Sequence, residues 1–135
     1  MSKNKKSVFR GCATAIVTPF SCGEVDYNAL GELIDRQIDL GVDALIICGT
    51  TGESCTLSDE EHRSVLEYAI AKSRARVPMI AGTGSNDISH AVKISRYASA
   101  IGYDALLVVT PYYNKATEKG LIPFAARLRF RAFLL

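Results

Sequence analysis

The chain has 135 residues and a formal net charge of +2, with 48% hydrophobic and 22% charged residues. This length fits one domain with a real core and is too short for two. The composition is that of a globular protein rather than a disordered or membrane-embedded one. Positive charges are interleaved with acidic residues until the last few positions, so no basic stripe favours nucleic-acid binding.

The first residues, MSKNKKS, are basic like the start of a signal peptide. Arg10 interrupts the apolar stretch that would have to follow, and Thr14 and Thr18 dilute it further. We therefore expect a cytoplasmic protein with a basic tail and no membrane partner. The four cysteines, at positions 12, 22, 48 and 55, show no C-x-x-C spacing, which favours buried free thiols over disulfides or a metal site.

Apolar runs alternate with amphipathic segments along the chain. The predicted strands, each apolar enough to be buried on both faces as in a parallel sheet, are 13–18, 44–48, 78–81 and 104–110. The predicted helix-start signals are Asp26, the capping box of Ser58 with Glu61, and Asn86 or Asp87. Each unit is therefore a strand followed by a helix.

The polar cluster GTTGES, Gly49–Ser54, directly follows the second predicted strand. It places two hydroxyls and several N–H groups at a strand's carboxyl end, where α/β folds bind ligands, so a carboxylate or other oxyanion would fit. No lysine follows Gly52, so the cluster is not a phosphate loop, and Gly82-Thr83-Gly84 does not complete a dinucleotide fingerprint. An ordinary glycine-rich turn is the alternative.

An internal repeat relates two of the units. LGVDALIICGT at 40–50 aligns without gaps with IGYDALLVVTP at 101–111, and with the strand between them the repeating unit is about thirty residues, the size of a βαβ element. Four such units permit an open doubly wound sheet or half of an eightfold barrel. The nearly constant unit length favours an α/β fold made of the first four βα units of a truncated (β/α)8 TIM barrel.

Four motifs resemble those of the N-acetylneuraminate lyase family of class I aldolase-like barrels, in its dihydrodipicolinate synthase branch. They are AIVTPF at 15–20, GTTGES at 49–54, AGTGSN at 81–86 and VTPYYN at 109–114, within a resemblance from Val8 to Ile122. The resemblance implies a carbon-oxygen lyase of diaminopimelate and lysine biosynthesis, in which pyruvate forms a Schiff base with a lysine and condenses with aspartate semialdehyde. It further implies no cofactor, no metal ion and a homo-oligomer in the full-length family.

The resemblance also implies roles for individual residues. Thr50 would belong to a proton relay, Thr51 would bind the pyruvate carboxylate, Tyr113 would be the next relay member and Tyr112 would reach across a dimer interface. Hydroxyls suit a relay because they donate and accept protons without a fixed charge. Packing against a core edge is the alternative role for adjacent tyrosines.

Other positions match a regulatory pocket that binds lysine in feedback-inhibited members of the family. They are Ser54, His62 and Asn86. His90 stands where those members often carry glutamate, which weakens the case for inhibition by lysine. The plain alternative for His62 is a residue on the polar face of a helix, and Glu53 is expected to be structural.

The Schiff-base lysine is missing from every predicted strand. Such an amine has to be partly desolvated to be neutral near pH 7, but Lys3, Lys5 and Lys6 are in the tail, Lys72 and Lys93 on helices, and Lys115 and Lys119 near the fourth helix. In the family the nucleophile is on the sixth strand and a further catalytic tyrosine follows the fifth, so both would fall beyond Leu135. We expect the isolated chain to lack condensation activity.

Residues 123–135 depart from the family pattern. Pro123 intrudes where an amphipathic helix is expected, and the arginines at 127, 129 and 131 alternate with apolar residues at a period near two. We interpret this segment as an aberrant tail from a shifted frame or premature stop, with a membrane- or RNA-binding tail as the weaker alternative. A four-strand arc would expose its inner face and two unpaired edges, which predicts aggregation, self-pairing or instability.

Two rival functions stay open. One is a non-catalytic half-barrel whose exposed face is an assembly surface completed by a second chain. The other is a doubly wound phosphate-binding module for nucleotides or phosphosugars, which the tyrosine doublet does not support.

Overall fold

The computed structural model describes residues 7–113, 117–127 and 132–134. The predicted basic tail at residues 1–6, with its three lysines, lies outside the described residues. So do Asn114 of the VTPYYN motif, Lys115, and the arginines at 129 and 131.

Strands and helices alternate along the described chain. The strands are β1 (Ala13–Ala15), β2 (Phe20–Ser21), β3 (Glu24–Val25), β4 (Ala44–Ile47), β5 (Met79–Gly82), β6 (Ala105–Val108) and β7 (Ala132–Leu134). The helices are α1 (Tyr27–Asp39), α2 (Asp59–Ser73), α3 (Ile88–Ala100) and α4 (Glu118–Arg127). The four predicted strands and the three predicted helices between them are therefore confirmed, although β1 and β6 are shorter than expected.

The main sheet has five parallel strands in the order β1-β4-β5-β6-β7. This order follows the chain, and each new strand is added on the same side of the previous one. A doubly wound sheet instead reverses its order at a switch point. The strand order is therefore that of an arc of a barrel, as the repeat length suggested.

The repeated sequence has a structural counterpart at the amino-terminal ends of the strands. The Asp43 carboxylate accepts a 2.8 Å hydrogen bond from the N–H of Cys12, and the Asp43 N–H donates to the Cys12 carbonyl. Asp104 repeats this arrangement with Met79, at 2.9 and 3.0 Å. Each aspartate thus fixes the start of its own strand against the preceding strand, which explains why the two segments are alike.

The helix ends follow the predicted signals. The Asp26 side chain accepts from the N–H of Ala29 at the start of α1, and Ser58 and Glu61 form a reciprocal capping box at the start of α2. Of the two candidates for α3, Asp87 is the cap. Arg76 donates to carbonyls of the last turn of α2, where a cation is favoured.

A short hairpin between β1 and α1 was not predicted. β2 and β3 pair antiparallel, and the turn between them has Cys22 at φ 52° and Gly23 at φ 85°. The sequence predicted no strand between residue 18 and the helix start at Asp26. Two-residue strands give too few alternating positions for a periodic pattern.

The larger core lies between the sheet and the helices. Its fully buried side chains alternate along β4, β5 and β6 and pack against one stripe of each helix, as with Leu45, Ile47, Leu106, Leu30, Ile34, Val65, Leu66 and Ile94. Because these residues come from strands and helices that lie far apart in sequence, the core fixes the helices on one side of the sheet.

The opposite, inner face of the sheet is only partly covered. Val8 and Phe9 pack against a small buried cluster of Ala44, Ile80 and Ala105. We expected this whole face to be open to water, and this expectation is wrong for its amino-terminal end. The half-buried side chains of Ile46 and Leu107 lie closer to the strands' carboxyl ends.

The tail residues do not leave β6 unpaired. α4 continues through Pro123 to Arg127, and β7 pairs in parallel with β6, with Leu106 opposite Ala132. The expectation of an unpaired β6 edge is therefore wrong. The period of two in this segment suits a strand, and adding that strand satisfies backbone groups that β6 would otherwise present at an edge.

The four cysteines are free thiols, as expected, but only Cys48 is buried, whereas Cys12, Cys22 and Cys55 are exposed. The expectation of buried thiols is wrong for these three, because they lie in turns outside the apolar strand runs. Among the described residues, no group of three or more His, Cys, Asp or Glu side chains is placed to hold a metal ion. Within the same residues, no helix has the length and apolar character to cross a membrane.

The capping box of α2 gives a test of the fold. Ser58→Ala removes the acceptor for the N–H of Glu61 and is expected to lower the free energy of unfolding by about 1 kcal/mol. Urea denaturation followed by circular dichroism measures the change. Ser64→Ala, inside the same helix, is the control and is expected to change stability by less than about 0.5 kcal/mol. Equal effects of the two variants would contradict the capping argument.

Candidate functional site

A cavity of about 320 Å³ lies at the carboxyl ends of β4, β5 and β6. Its lining residues come from the last residues of these strands and from the segments that follow them: Cys48, Gly49, Thr50, Ser54, Cys55, Gly82, Gly84, Leu107, Val109 and Tyr112. No charged side chain is among them, so the groups able to transfer a proton here are hydroxyls and thiols.

Gly82 allows the ends of β4 and β5 to meet. A Cβ at Gly82 would overlap the carbonyl oxygen of Cys48 and crowd the backbone nitrogen of Gly49. Gly84 is in the same position against the backbone of Val109, after β6. The AGTGSN motif therefore supplies two positions without side chains, at which neighbouring strand ends approach more closely than any other residue would permit.

The segment after β4 turns sharply. Cys48 has φ 54°, and Glu53 has the same value, so a left-handed residue lies at each end of the turn. Between them, the Gly52 N–H donates to the Gly49 carbonyl at 3.0 Å and the Glu53 N–H donates to the Thr50 carbonyl at 3.1 Å. We call residues 49–53 the threonine loop.

The structure separates the two adjacent threonines. Both are exposed, but Thr50 lines the cavity and Thr51 is not among the lining residues. It also separates the two tyrosines. Tyr112 lines the cavity and is 39% exposed, while Tyr113 is 96% exposed with φ 69°. Core-edge packing is therefore the wrong interpretation of Tyr113.

A second, smaller cavity of about 170 Å³ adjoins the first. It brings together the three residues assigned to a regulatory pocket, Ser54, His62 and Asn86, and adds His90. The two cavities share the lining residues Ser54, Cys55, Gly84 and Tyr112. The side chain of Tyr112 therefore faces both spaces.

His62 is buried, at 3% exposure, and its Nε2 lies 3.0 Å from the carbonyl oxygen of Gly82. The alternative that His62 lies on the polar face of the helix is therefore wrong. Because a carbonyl oxygen only accepts, Nε2 must carry the hydrogen. Burial lowers the pKa of His62 below its usual 6.5, against the opposing effect of the Gly82 hydrogen bond. His62 thus holds the end of β5 as a neutral donor.

Side chains around the smaller cavity form two further contacts. Nδ1 of His90 lies 3.3 Å from the carboxylate of Asp59 at the start of α2. The hydroxyl of Tyr112 lies 3.5 Å from Sγ of Cys55. This contact is the largest cause of a raised pKa of Tyr112, and partial burial adds to it. Tyr112 is therefore protonated at neutral pH and able to donate.

Cys48 is at the base of the larger cavity but is not a nucleophile. Burial raises the pKa of its thiol to about 12, so the reactive thiolate is absent at neutral pH. The hydroxyl of Tyr103, buried nearby, donates to the Leu66 carbonyl at 3.0 Å. The sequence did not predict that Cys48 and Cys55 line the cavity, although both flank the GTTGES motif. A thiol that only lines a cavity wall has no characteristic spacing in the sequence.

Comparison with known proteins gives consistent matches. A family model described as the dihydrodipicolinate synthetase family matches residues 8–128, which extends past Ile122. A curated relative from Acetivibrio thermocellus, described as 4-hydroxy-tetrahydrodipicolinate synthase, is 57% identical over 117 residues. These residues are 87% of this chain and 40% of that protein, so the chain spans about 40% of the length of this relative.

Solved structures show the same likeness. The dihydrodipicolinate synthase from Aquifex aeolicus matches with 45% identity and a TM-score of 0.89, over 93% of this chain and 44% of that one. YagE, a prophage protein of the dihydrodipicolinic acid synthase family from E. coli K12 crystallised with pyruvate, matches with 31% identity and a TM-score of 0.91. The alignment covers 95% of this chain and 45% of YagE. The predicted half of a TIM barrel is thus confirmed.

The contact at Gly82 gives one prediction. Gly82→Ala is expected to lower the free energy of unfolding by about 3 kcal/mol, because the added methyl overlaps the Cys48 backbone, which cannot rotate away. The control is Gly49→Ala in the same cavity, where a Cβ would lie 3.4 Å from Ile46, an ordinary contact. Urea denaturation compares the two variants. A loss at Gly82 no larger than that at Gly49 would contradict the close-approach argument.

The lowered pKa of His62 gives a second prediction. The unfolded state binds a proton near pH 6.5 more readily than the folded state, so stability is full above this pH and falls as the pH drops towards the folded-state pKa. His62→Gln, whose amide still donates to Gly82, is expected to show less loss of stability between about pH 7.5 and about pH 5.5. The midpoint of urea denaturation, determined at several pH values in this range, measures the loss of stability.

His90→Gln is the matched control for the pH experiment. His90 contributes less than burial to the lowered pKa of His62, so this variant is expected to retain most of the pH dependence of the wild-type chain. If the dependence disappears with His90→Gln but stays with His62→Gln, the buried imidazole is not its source.

Proposed function

The chain belongs to the dihydrodipicolinate synthetase family, and from this premise we propose that it supplies the amino-terminal half of an active site that condenses pyruvate with aspartate semialdehyde. The observation that supports this most directly is the cavity at the ends of β4, β5 and β6, where three of the family-like motifs meet. Ligands bind at this end of the strands in essentially all TIM-barrel enzymes. Both proposed substrates are small organic acids, for which a cavity of about 320 Å³ has room.

Thr50 is the proposed relay member on this chain. Its hydroxyl belongs to a cavity whose other walls include the apolar side chains of Leu107 and Val109. Such surroundings favour a neutral group that passes a proton over a charged group that would need hydration. Thr51 is proposed to bind the pyruvate carboxylate. Its exposure leaves its hydroxyl and N–H accessible to a ligand at the cavity mouth.

The exposures of the two tyrosines support an exchange of the roles that the sequence suggested. Tyr112 lines the cavity of its own chain and contacts Cys55 there. Tyr113 is 96% exposed and has a left-handed backbone conformation. We therefore assign Tyr113 to the interface, where it would reach a second copy and act in the relay of that copy. Tyr112 remains in its own subunit.

The nucleophilic lysine is proposed to come from β/α units that this sequence does not contain. Among the described residues, the lysines are all on helices, at 72, 93 and 119. Lys72 is ion-paired with Asp35 at 2.7 Å, away from the cavity. None therefore meets the need for a desolvated amine inside the barrel.

The smaller cavity is proposed as a regulatory pocket, because Ser54, His62 and Asn86 lie together on it. His90 is occupied by its contact with Asp59, so the pocket wall itself offers no carboxylate to an ammonium group. We therefore propose weak or absent inhibition by lysine.

Assembly with a second polypeptide is the second candidate function. β1 and β7 are the outer strands of the sheet, and Val17 and Phe20, beside β1, are 48% and 43% exposed. A half-barrel with apolar side chains along an open edge pairs readily with another β/α chain. Light scattering after size exclusion tests this, since a monomer at micromolar concentration would contradict it.

A chimera tests the proposed catalytic function. Residues 8–122 of this chain replace the aligned segment of the Acetivibrio thermocellus relative, so that the relative provides the rest of the barrel. We expect condensation of pyruvate with aspartate semialdehyde at a kcat within about tenfold of the parent enzyme. Thr50→Val in the chimera is expected to lower kcat by about 100-fold, because the relay hydroxyl is lost.

Two controls accompany the chimera. Thr56→Val removes a surface hydroxyl that bonds to Glu53, beside the same loop, and is expected to keep full activity. The 135-residue chain alone is expected to give neither condensation nor a borohydride-trapped pyruvate adduct. An inactive but folded chimera, or activity that survives Thr50→Val, would refute the proposed function.

A further inference from the structure

A buried hydroxyl joins the segment after β1 to the threonine loop. Thr18 is 4% exposed, and its Oγ1 donates a 2.7 Å hydrogen bond to the carbonyl oxygen of Gly52, 34 residues away. Another hydroxyl that bonds to this loop, that of Thr56 to Glu53, lies at the surface. The Thr18 bond is therefore protected from competition with water.

The loop packs directly on the chain that carries Thr18. A Cβ at Gly52 would lie 3.1 Å from the carbonyl oxygen of Ile16 and from the backbone of Cys48. Gly52 is thus held between the residues that directly follow β1 and β4, with little room for a side chain. Its N–H is satisfied inside the loop, but the Thr18 hydroxyl is what satisfies its carbonyl.

Thr18 itself is anchored independently of the loop. The next residue, Pro19, accepts a 2.8 Å hydrogen bond from the N–H of Asp26, the residue that caps α1. The proline ring also restricts the backbone there. The position of the Thr18 hydroxyl is therefore set by β1 and α1, and the loop adapts to it.

We propose that Thr18 is a positioning residue that fixes the Gly52 carbonyl and thereby the orientation in which the loop presents Thr50 to the cavity. Its consequence for catalysis rests on the proposed function, whereas its effect on the loop does not. Valine keeps the shape of threonine but leaves a buried carbonyl without a partner, which favours local opening of the loop. Serine keeps the hydroxyl and is expected to keep the loop closed.

Amide hydrogen exchange of the 135-residue chain tests whether Thr18 holds the threonine loop closed. In Thr18→Val, the amides of Gly52 and Glu53 are expected to exchange about tenfold faster than in the wild type, because their loop hydrogen bonds open more often. The amide of Ala81 in β5 is expected to be unchanged. Thr18→Ser is expected to stay within about twofold of wild type, and so is Thr14→Val, a threonine in β1 itself.

Kinetics of the chimera test whether the position of the loop affects catalysis. The same loop carries Thr51, the proposed ligand of the pyruvate carboxylate, so Thr18→Val is expected to raise KM for pyruvate about tenfold, and Thr18→Ser to restore it. KM does not depend on the fraction of enzyme that is folded, so a merely structural role would lower apparent kcat and leave KM unchanged. Thr14→Val is the control for a threonine-to-valine change in the same strand.

The outcomes separate this inference from the proposed function. Unchanged exchange at Gly52 and Glu53 in Thr18→Val overturns the positioning role, whatever the chimera does. Faster exchange with an unchanged KM in an active chimera overturns the link to catalysis alone. An inactive but folded chimera refutes the proposed function, and the exchange result still decides whether Thr18 holds the loop.

Discussion

The cavity exists because the carboxyl ends of β4 and β5 meet at a point where no side chain fits. At Gly82 the backbone of one strand lies directly against the Cys48 carbonyl of the other, and Gly84 repeats the contact against Val109 after β6. Three strand ends converge in this way, and the residues that follow them form one surface. A larger residue at either glycine would push the ends apart and open the cavity to water.

Neutral hydrogen bonds, rather than ion pairs, hold these ends in place. His62 donates to the Gly82 carbonyl, Thr18 donates to the Gly52 carbonyl, and the Thr83 hydroxyl lies 2.8 Å from that of Ser95 on α3. All are buried polar groups with partners, as the cost of leaving them unpaired demands. Because no charged side chain is among the described lining residues, the wall offers a ligand hydrogen bonds and apolar contacts rather than ion pairs.

The strand and helix units were predicted well because the signals for each one lie close together in the sequence. The capping box at Ser58, the cap at Asp26 and the apolar runs of the strands depend on neighbours in the chain, and all are observed. Thr50 lies at the strand end where the sequence predicted a ligand site, but Tyr112, which also lines the cavity, was expected at an interface instead. The burial of His62 did not, because it depends on the Gly82 carbonyl, twenty residues away, and no helical pattern reports that contact.

The repeated aspartates explain how an arc of a barrel holds its curvature without closing. Asp43 and Asp104 each bind the backbone of the preceding strand, so register is set between neighbours at one end of the sheet. At the other end Gly82 and Gly84 fix the spacing. The β5–β6 pair has both contacts, with Asp104 at one end and Gly84 at the other, whereas β1–β4 has only the aspartate and β4–β5 only the glycine. The geometry of the cavity therefore depends on contacts between neighbouring strands.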